Sequence, residues 1–242
     1  VPDVGPFREA NRPGRWYAMP GDGGLIMVTF PFGRPAAVTG PGAWSAMYFN
    51  ECMSGFEWQV AGHMLWERMT TEGLAVARLI HDRYHPRLRN PYNEIECSDH
   101  YARAMASYGA YLAACGFSYH GPQRQLGFAP RLSPDHFRAA FTAAEGWGTF
   151  SQSRKNETLT ATLAPRYGVV RIKTLTLELP QPAGRITHSV STTQNQVSAT
   201  IKPVPPEPID KNGPYPVTLT FENEIVLPAG ERLTVTIQTA PR

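Results

Sequence analysis

The chain has 242 residues, 42% of them apolar and 18% charged, with 23 basic against 20 acidic side chains for a formal charge of +3. That is long enough for one large domain or two small ones with a real core, and a charge so small and so interleaved excludes nucleic acid and an anionic membrane surface as partners. No apolar run reaches transmembrane length, and no cationic region followed by an apolar one opens the chain, which therefore reads as soluble with no membrane span. Because it starts at Val1 and not at a methionine, it reads as a processed, trimmed or incompletely identified product.

In chain order, residues 1–15 are rich in Pro, Gly and Arg without periodicity and predict an extended arm. Arg15 to Met19 and Leu25 to Phe30 are short strand-like runs around PGDGG, a turn signal, and predict a β-hairpin. FEWQVAGHMLWERM carries Phe56, Val60, Met64 and Leu65 on one side, and TEGLAVARLIHDRY carries Leu74, Ala77, Leu79 and Ile80, so the two predict an αα-hairpin broken at Thr70 to Gly73. A third helix is capped by Ser98, gains a favourable first-turn charge from Asp99, and ends at Gly116. Its spacing of three and four sets Tyr101, Met105, Tyr108 and Leu112 on one stripe and small residues on the next. Phe117 to Leu132 reads as a linker.

After Ser133 the period becomes two. ETLTATLA, GVVRIKTLTLELP, RITHSV, QVSATIK, PVTLTFE and RLTVTIQ alternate apolar with polar, which predicts an antiparallel β-sandwich, and the proline-rich PVPPEPIDKNGPYP a loop. The expected fold class is therefore α+β, with residues 1–130 as an α region and 131–242 as the sandwich. Three helices and a hairpin do not close a helical core of their own, so residues 1–130 read as the end of a larger α domain.

Cys52, Cys97 and Cys115 are odd in number, widely spaced and free of any zinc-ligand pattern, and read as buried free thiols. No metal or other cofactor is implied. Reduced thiols lean toward a cytoplasmic setting without fixing the compartment.

The densest polar stretch is Arg89 to Gly116, where Glu94, Glu96, Asp99, His100 and Arg103 gather at the mouth of the third helix. A carboxylate accepts hydrogen bonds from neighbouring sugar hydroxyls, and a guanidinium donates to their oxygens in fixed directions. The same residues also suit a buried ion pair that pins turn to helix, and spacing alone ranks the two readings level. Glu57, in the first turn of an earlier helix, either reaches a ligand or is a solvated first-turn acid. His63 reads as a core histidine.

At NECMSGFEWQVAGHM, RNPYNEIECSDHYARAMASYGAYLAACGFSYHGP and LGFAPRL, the chain resembles the C-terminal part of bacterial glucosylceramidase-like proteins related to glycoside hydrolase family 116. RWYAMPGDGGLIMVTFP and AAEGWGTFSQ extend the likeness to about residues 12–180. The resemblance implies the C-terminal helices of an (α/α)6 barrel joined to a β-sandwich, and a retaining β-glycosidase mechanism in which one carboxylate attacks the anomeric carbon and another serves as acid and then base. It places both catalytic carboxylates upstream, so no catalytic residue is expected in this chain. It further implies that Glu94 and Arg103 contact distal hydroxyls of a β-linked glycoside in the −1 subsite, with Glu96 as an alternative to Glu94; Glu96 and His100 read equally as orienting that pair or as making ordinary turn hydrogen bonds. The run AMASYGAYL after Arg103 departs from the family's aromatic and Pro there, which bears on the sugar accepted. The partner implied is an N-terminal catalytic part or partner polypeptide of the same enzyme.

Two rival readings belong to other classes. One is a non-catalytic carbohydrate-binding or assembly subunit built on the sandwich. The other is an acyl-transfer enzyme using Cys97 and His100.

Overall fold

The computed structural model describes residues 2–10, 17–27, 29–30, 34–35, 51–94, 103–180, 184–204 and 214–240, with the backbone alone at 8, 10, 29–30, 34–35 and 103–104. The protein is α+β and divides into two compact units, Val1–Ala113 and Ala114–Arg242. No helix among the described residues is long and apolar enough to cross a membrane.

In the first unit the expected N-terminal arm is in part helical, α1 spanning Gly5–Ala10. Asp3 explains it, since its Oδ1 accepts the Gly5 N–H at 2.7 Å and the Gly21 N–H at 2.8 Å, and these two donors hold its carboxyl below the usual range. The hairpin predicted for 15–30 is not formed by its described residues; among the described residues the ladder there pairs β1, Thr29–Phe30, with β2, Arg34–Pro35. Residues 17–27 instead give their N–H groups to side-chain carboxylates. Glu51 accepts from Tyr17 at 2.6 Å and Ala18 at 3.2 Å, Asp22 from Met19 at 2.8 Å, and Glu57 from Leu25 at 2.9 Å. Backbone N–H groups need acceptors, and here these three acidic side chains, with Asp3 on Gly21, supply most of what a partner strand would have supplied, while the Asp22 and Met27 N–H groups go to the carbonyls of Met19 and Glu51.

The αα-hairpin is present as α2, Ser54–Trp66, and α3, Thr70–Arg83. Its turn is earlier than the sequence predicts, at residues 67–69, with Arg68 in the left-handed region at φ 64°. Gly73 lies inside α3 because a Cβ there would sit 3.0 Å from the Ala61 carbonyl and from Leu65, so the glycine serves close helix packing and not a break. The buried faces also differ from the expected ones. In α2 they are Ser54, Glu57, Ala61, Gly62 and Leu65, and in α3 Gly73, Val76, Ile80 and Arg83. Phe56 is 45% exposed, and Val60, Trp66 and Leu74 are exposed too. The inward stripe is set by the small residues that let the helices approach and by a charged pair; Leu65 and Ile80 of the expected faces are buried and Trp58 and Met64 pack against the same cluster, while Phe56, Val60, Trp66 and Leu74 face out.

A 3₁₀ turn, Arg103–Ala106, leads into α4, Ser107–Cys115, which ends in a left-handed Gly116 at φ 55° as expected. A side chain on Gly116 would collide with the Ala129 carbonyl at 2.1 Å. Ala110, Ala113 and Cys115 are the buried residues of α4, whereas Met105 in the preceding turn is 75% exposed and Tyr108 and Tyr111 are exposed; the small-residue stripe, not the large one, faces inward.

The second unit is one curled, mixed sheet of nine strands. These are β3 (Ser118–His120), β4 (Gln125–Phe128), β5 (His136–Ala143), β6 (Gly146–Lys155), β7 (Thr158–Leu179), β8 (Arg185–Thr192), β9 (Ala199–Pro203), β10 (Tyr215–Pro228) and β11 (Leu233–Ala240). The segment expected as a linker after Gly116 contributes β3 and β4. Two runs read as separate strands fuse into β7, 22 residues long. Its first part lies between β6 and β11 and its second between β4 and β10. Pro165, read as a boundary, sits opposite Gly148 where the register shifts, so its missing N–H falls at a bulge and the strand runs on. The β4–β7 pair is parallel, so the sheet is not wholly antiparallel.

Curling brings the apolar faces of the two parts of the sheet together. Phe128 of β4 stacks on Phe150 of β6, ring centroids 3.8 Å apart and 4° from parallel, with Phe141 edge-on at 5.7 Å. Leu175, Leu177, Val217, Leu219, Val235 and Ile237 complete the buried core around them. The alternation seen in the sequence is the alternation between this core and the outer face.

Candidate functional site

The hairpin of α2 and α3 is antiparallel, so the first turn of α2 lies beside the last turn of α3. Two polar cross-links join them there. Glu57 of α2 meets Arg83 of α3, with Oε1 accepting from Nη1 at 3.1 Å and Oε2 from Nη2, and Arg83 Nη1 also donates to the Gly23 carbonyl at 2.8 Å. One residue on, the Tyr84 hydroxyl donates to Glu94, and Ser54, the first residue of α2, donates to the other Glu94 oxygen.

Glu57 and Arg83 are 2% and 1% exposed, so the pair is withdrawn from water. Burial disfavours the Arg83 charge, yet the bonds and charge of Glu57 outweigh it and hold the guanidinium protonated above its ordinary range. Gly24 lies directly over the pair. A Cβ there would come within 2.4 Å of Glu57 Oε1, 2.5 Å of Arg83 Nη1 and 2.9 Å of Cys52 Sγ. Buried Glu51 also accepts the Cys52 N–H at 2.8 Å, and desolvation pushes its carboxyl up against its three backbone donors. Burial, with Glu57 next, pushes the Cys52 thiol up to about 12. Arg89 pairs with buried Asp22 in the loop below.

Glu94 is 3% exposed, and among the described residues its carboxylate meets two hydroxyls and no cation. A carboxylate offers about four acceptor directions, so two neutral donors fix its orientation and leave acceptor capacity over. The structure brings Glu94 and Glu57 to the same helical turn, where the helix N-terminus favours negative charge. Arg103 opens the 3₁₀ turn, and its side chain lies outside the described residues, as do Glu96, Cys97, Ser98, Asp99 and His100. Glu57 is not the solvated acid that was one of its two readings. His63 is exposed beside Glu67 at 3.7 Å and is not a core histidine. Cys52 and Cys115 are buried free thiols, as expected.

Arg83, Tyr84, Ser54, Glu51 and Asp22 escaped sequence reasoning. A signal existed for Arg83, which continues the stripe of Gly73, Val76 and Ile80 at helical spacing. Among the described residues, no three His, Cys, Asp or Glu side chains are placed to hold a metal ion. No family model matches the chain, and no curated protein matches it.

Proposed function

We propose that this chain is part of a retaining β-glycosidase of the β-glucosidase or glucosylceramidase-like kind, supplying sugar-binding residues of the −1 subsite. The nucleophile and acid/base belong to an N-terminal part or partner polypeptide. The observation that carries the reading is Glu94, a buried carboxylate oriented by Tyr84 and Ser54 with acceptor capacity to spare. Arg103 follows it by nine residues at the start of the next helical turn, the spacing that the resemblance assigns to a pair of hydroxyl ligands. In this reading α2, α3 and α4 are closing helices of an (α/α)6 barrel, and the curled sheet is its β-sandwich. The outward side chains Val60, Leu74 and Met105 suit a surface against which further helices pack.

The same apolar surface fits a second reading, a non-catalytic carbohydrate-binding or assembly subunit. Hydrolysis separates the two. The chain is assayed on an aryl β-glucoside alone and after co-expression with the polypeptide encoded upstream or copurifying with it. Turnover only in the assembled form is expected. Turnover by the isolated chain overturns the division of residues, and none in either form moves the assignment to the subunit reading.

A further inference from the structure

We infer that the β unit carries a saccharide-binding trough of its own, made of two adjoining pockets that share Tyr119. One pocket, of about 370 Å³, is walled by Arg124, Glu145 and Arg171 beside the Gly121–Pro122 turn; the other, of about 300 Å³, is lined by Ser118, His120, Gln125 and the threonines at 174, 176 and 218. The trough lies wholly within the sheet unit and stands whether or not Glu94 binds sugar.

Its chemistry selects the ligand. Of the charged residues that wall the first pocket, Arg171 donates from Nε to Glu145 at 2.8 Å, and both Arg124 and Arg171 are also paired with Glu224 outside its lining, Arg171 Nη1 at 3.7 Å, so each guanidinium already has a carboxylate partner. No charged residue lines the second. There Thr176 and Thr218 share a hydroxyl–hydroxyl bond at 2.9 Å, and His120 Nδ1 accepts the Gln123 N–H at 3.2 Å, which leaves the Nε2–H of the neutral ring as a donor. An ionic ligand would find no net opposite charge, and an apolar one would strip water from these groups without replacing its bonds. A neutral ligand with hydroxyls that both donate and accept meets both pockets.

Tyr119, whose ring lies on the Phe117 and Leu126 side of β3 and borders the first pocket, supplies there the apolar contact that a sugar ring's C–H face uses. Its ring lies 8° from parallel to Phe117, with centroids 6.4 Å apart, and its hydroxyl is fixed by accepting the Ala144 N–H at 3.1 Å. Two further features fit a built site. A Cβ on Gly127 would lie 2.4 Å from Ser118 Oγ, so the glycine makes room for the Ser118 hydroxyl that lines the second pocket. Arg124 occupies the left-handed region at φ 56°, a conformation that costs a residue with a side chain and that a glycine would take freely. The ligand class is therefore a neutral oligosaccharide of at least two rings.

The test titrates the full chain with cellotetraose and, separately, maltotetraose, read by saturation-transfer NMR. Saturable binding of one of them is expected, weakened about tenfold or more by Tyr119→Ala. Arg124→Gly is the second variant, because it removes the guanidinium while relieving the backbone. It should melt no lower than the parent and still bind several-fold more weakly. The absence of saturable binding to both sugars, or an affinity unchanged in Tyr119→Ala and Arg124→Gly, overturns the inference.

Discussion

Arg83 and Glu57 face each other across the α2–α3 hairpin as an ion pair withdrawn from water, bonded through both guanidinium Nη atoms. Such a pair replaces hydration with bonds whose geometry allows little variation, and each member depends on the other. Arg83 also holds the Gly23 carbonyl, so the pair ties the 17–27 loop to the helices.

Arg83→Ala leaves the Glu57 charge buried without its partner and should lower unfolding free energy by about 3–5 kcal/mol, read by urea denaturation. Arg83→Met combined with Glu57→Leu should recover much of that loss, because two packed apolar groups strand no charge. A double variant no better than the single would count against the pair as the source of the effect.

Gly24→Ala should destabilise by about 1–3 kcal/mol, because the new methyl meets Glu57, Arg83 and Cys52 together at less than contact distance. Thermal melting reads it. The comparison variant is Gly21→Ala, where φ is 88° but no atom lies within 4 Å of the new Cβ, so any loss there comes from the backbone.

The Cys52 thiol sits at about 12 in the fold against an ordinary value of 9.0. The fold thus favours the neutral thiol, whose contribution is whole below the unfolded value and is lost as pH rises through the folded one. Between about pH 9 and about pH 12, the stability of the parent should fall more steeply than that of Cys52→Ala. Over the same range, iodoacetamide should label Cys52 only once the chain unfolds. Parallel stability curves for parent and variant would contradict the assignment.

Under the proposed glycosidase reading, Glu94→Gln in the chain assembled with its catalytic part should fold and lose about 2 kcal/mol or more of transition-state stabilisation in kcat/KM, since an amide cannot match the carboxylate's acceptors. Arg103→Ala should weaken substrate binding by a similar amount, about 2 kcal/mol or more. Unchanged kinetics in both variants would remove them from the sugar site.

The helical hairpin and most strands were legible because each rests on a local period. What the period did not give was which face turns inward. Phe56 and Val60 carry more apolar area than Ser54 and Ala61, yet close approach of the helices and the Glu57–Arg83 pair select the smaller residues. That pair joins positions 26 apart in the chain, and no local pattern encodes it. The loop at 17–27 was misread as a hairpin for a related reason: its N–H groups end on Glu51 and Glu57, whose role as acceptors appears only when the chain is folded. Glu94 was legible as a member of the polar cluster before the third helix, but its bonds to Tyr84 and Ser54 were not. β7 was cut in two because Pro165 and Gly168 are turn formers almost everywhere except opposite a bulge.

A strand that serves both parts of a sheet makes them fail together. β7 lends its first part to β6 and β11 and its second to β4 and β10, so neither part can lose its pairing without exposing an edge to the other. The β unit should therefore open as one cooperative body, with its most slowly exchanging amides gathered along β7 from Leu159 to Leu177. A chain opened between Pro165 and Gly168 and joined at its ends would have to rebuild that shared spine from two pieces, and should fold far more slowly than one opened at the β10–β11 turn.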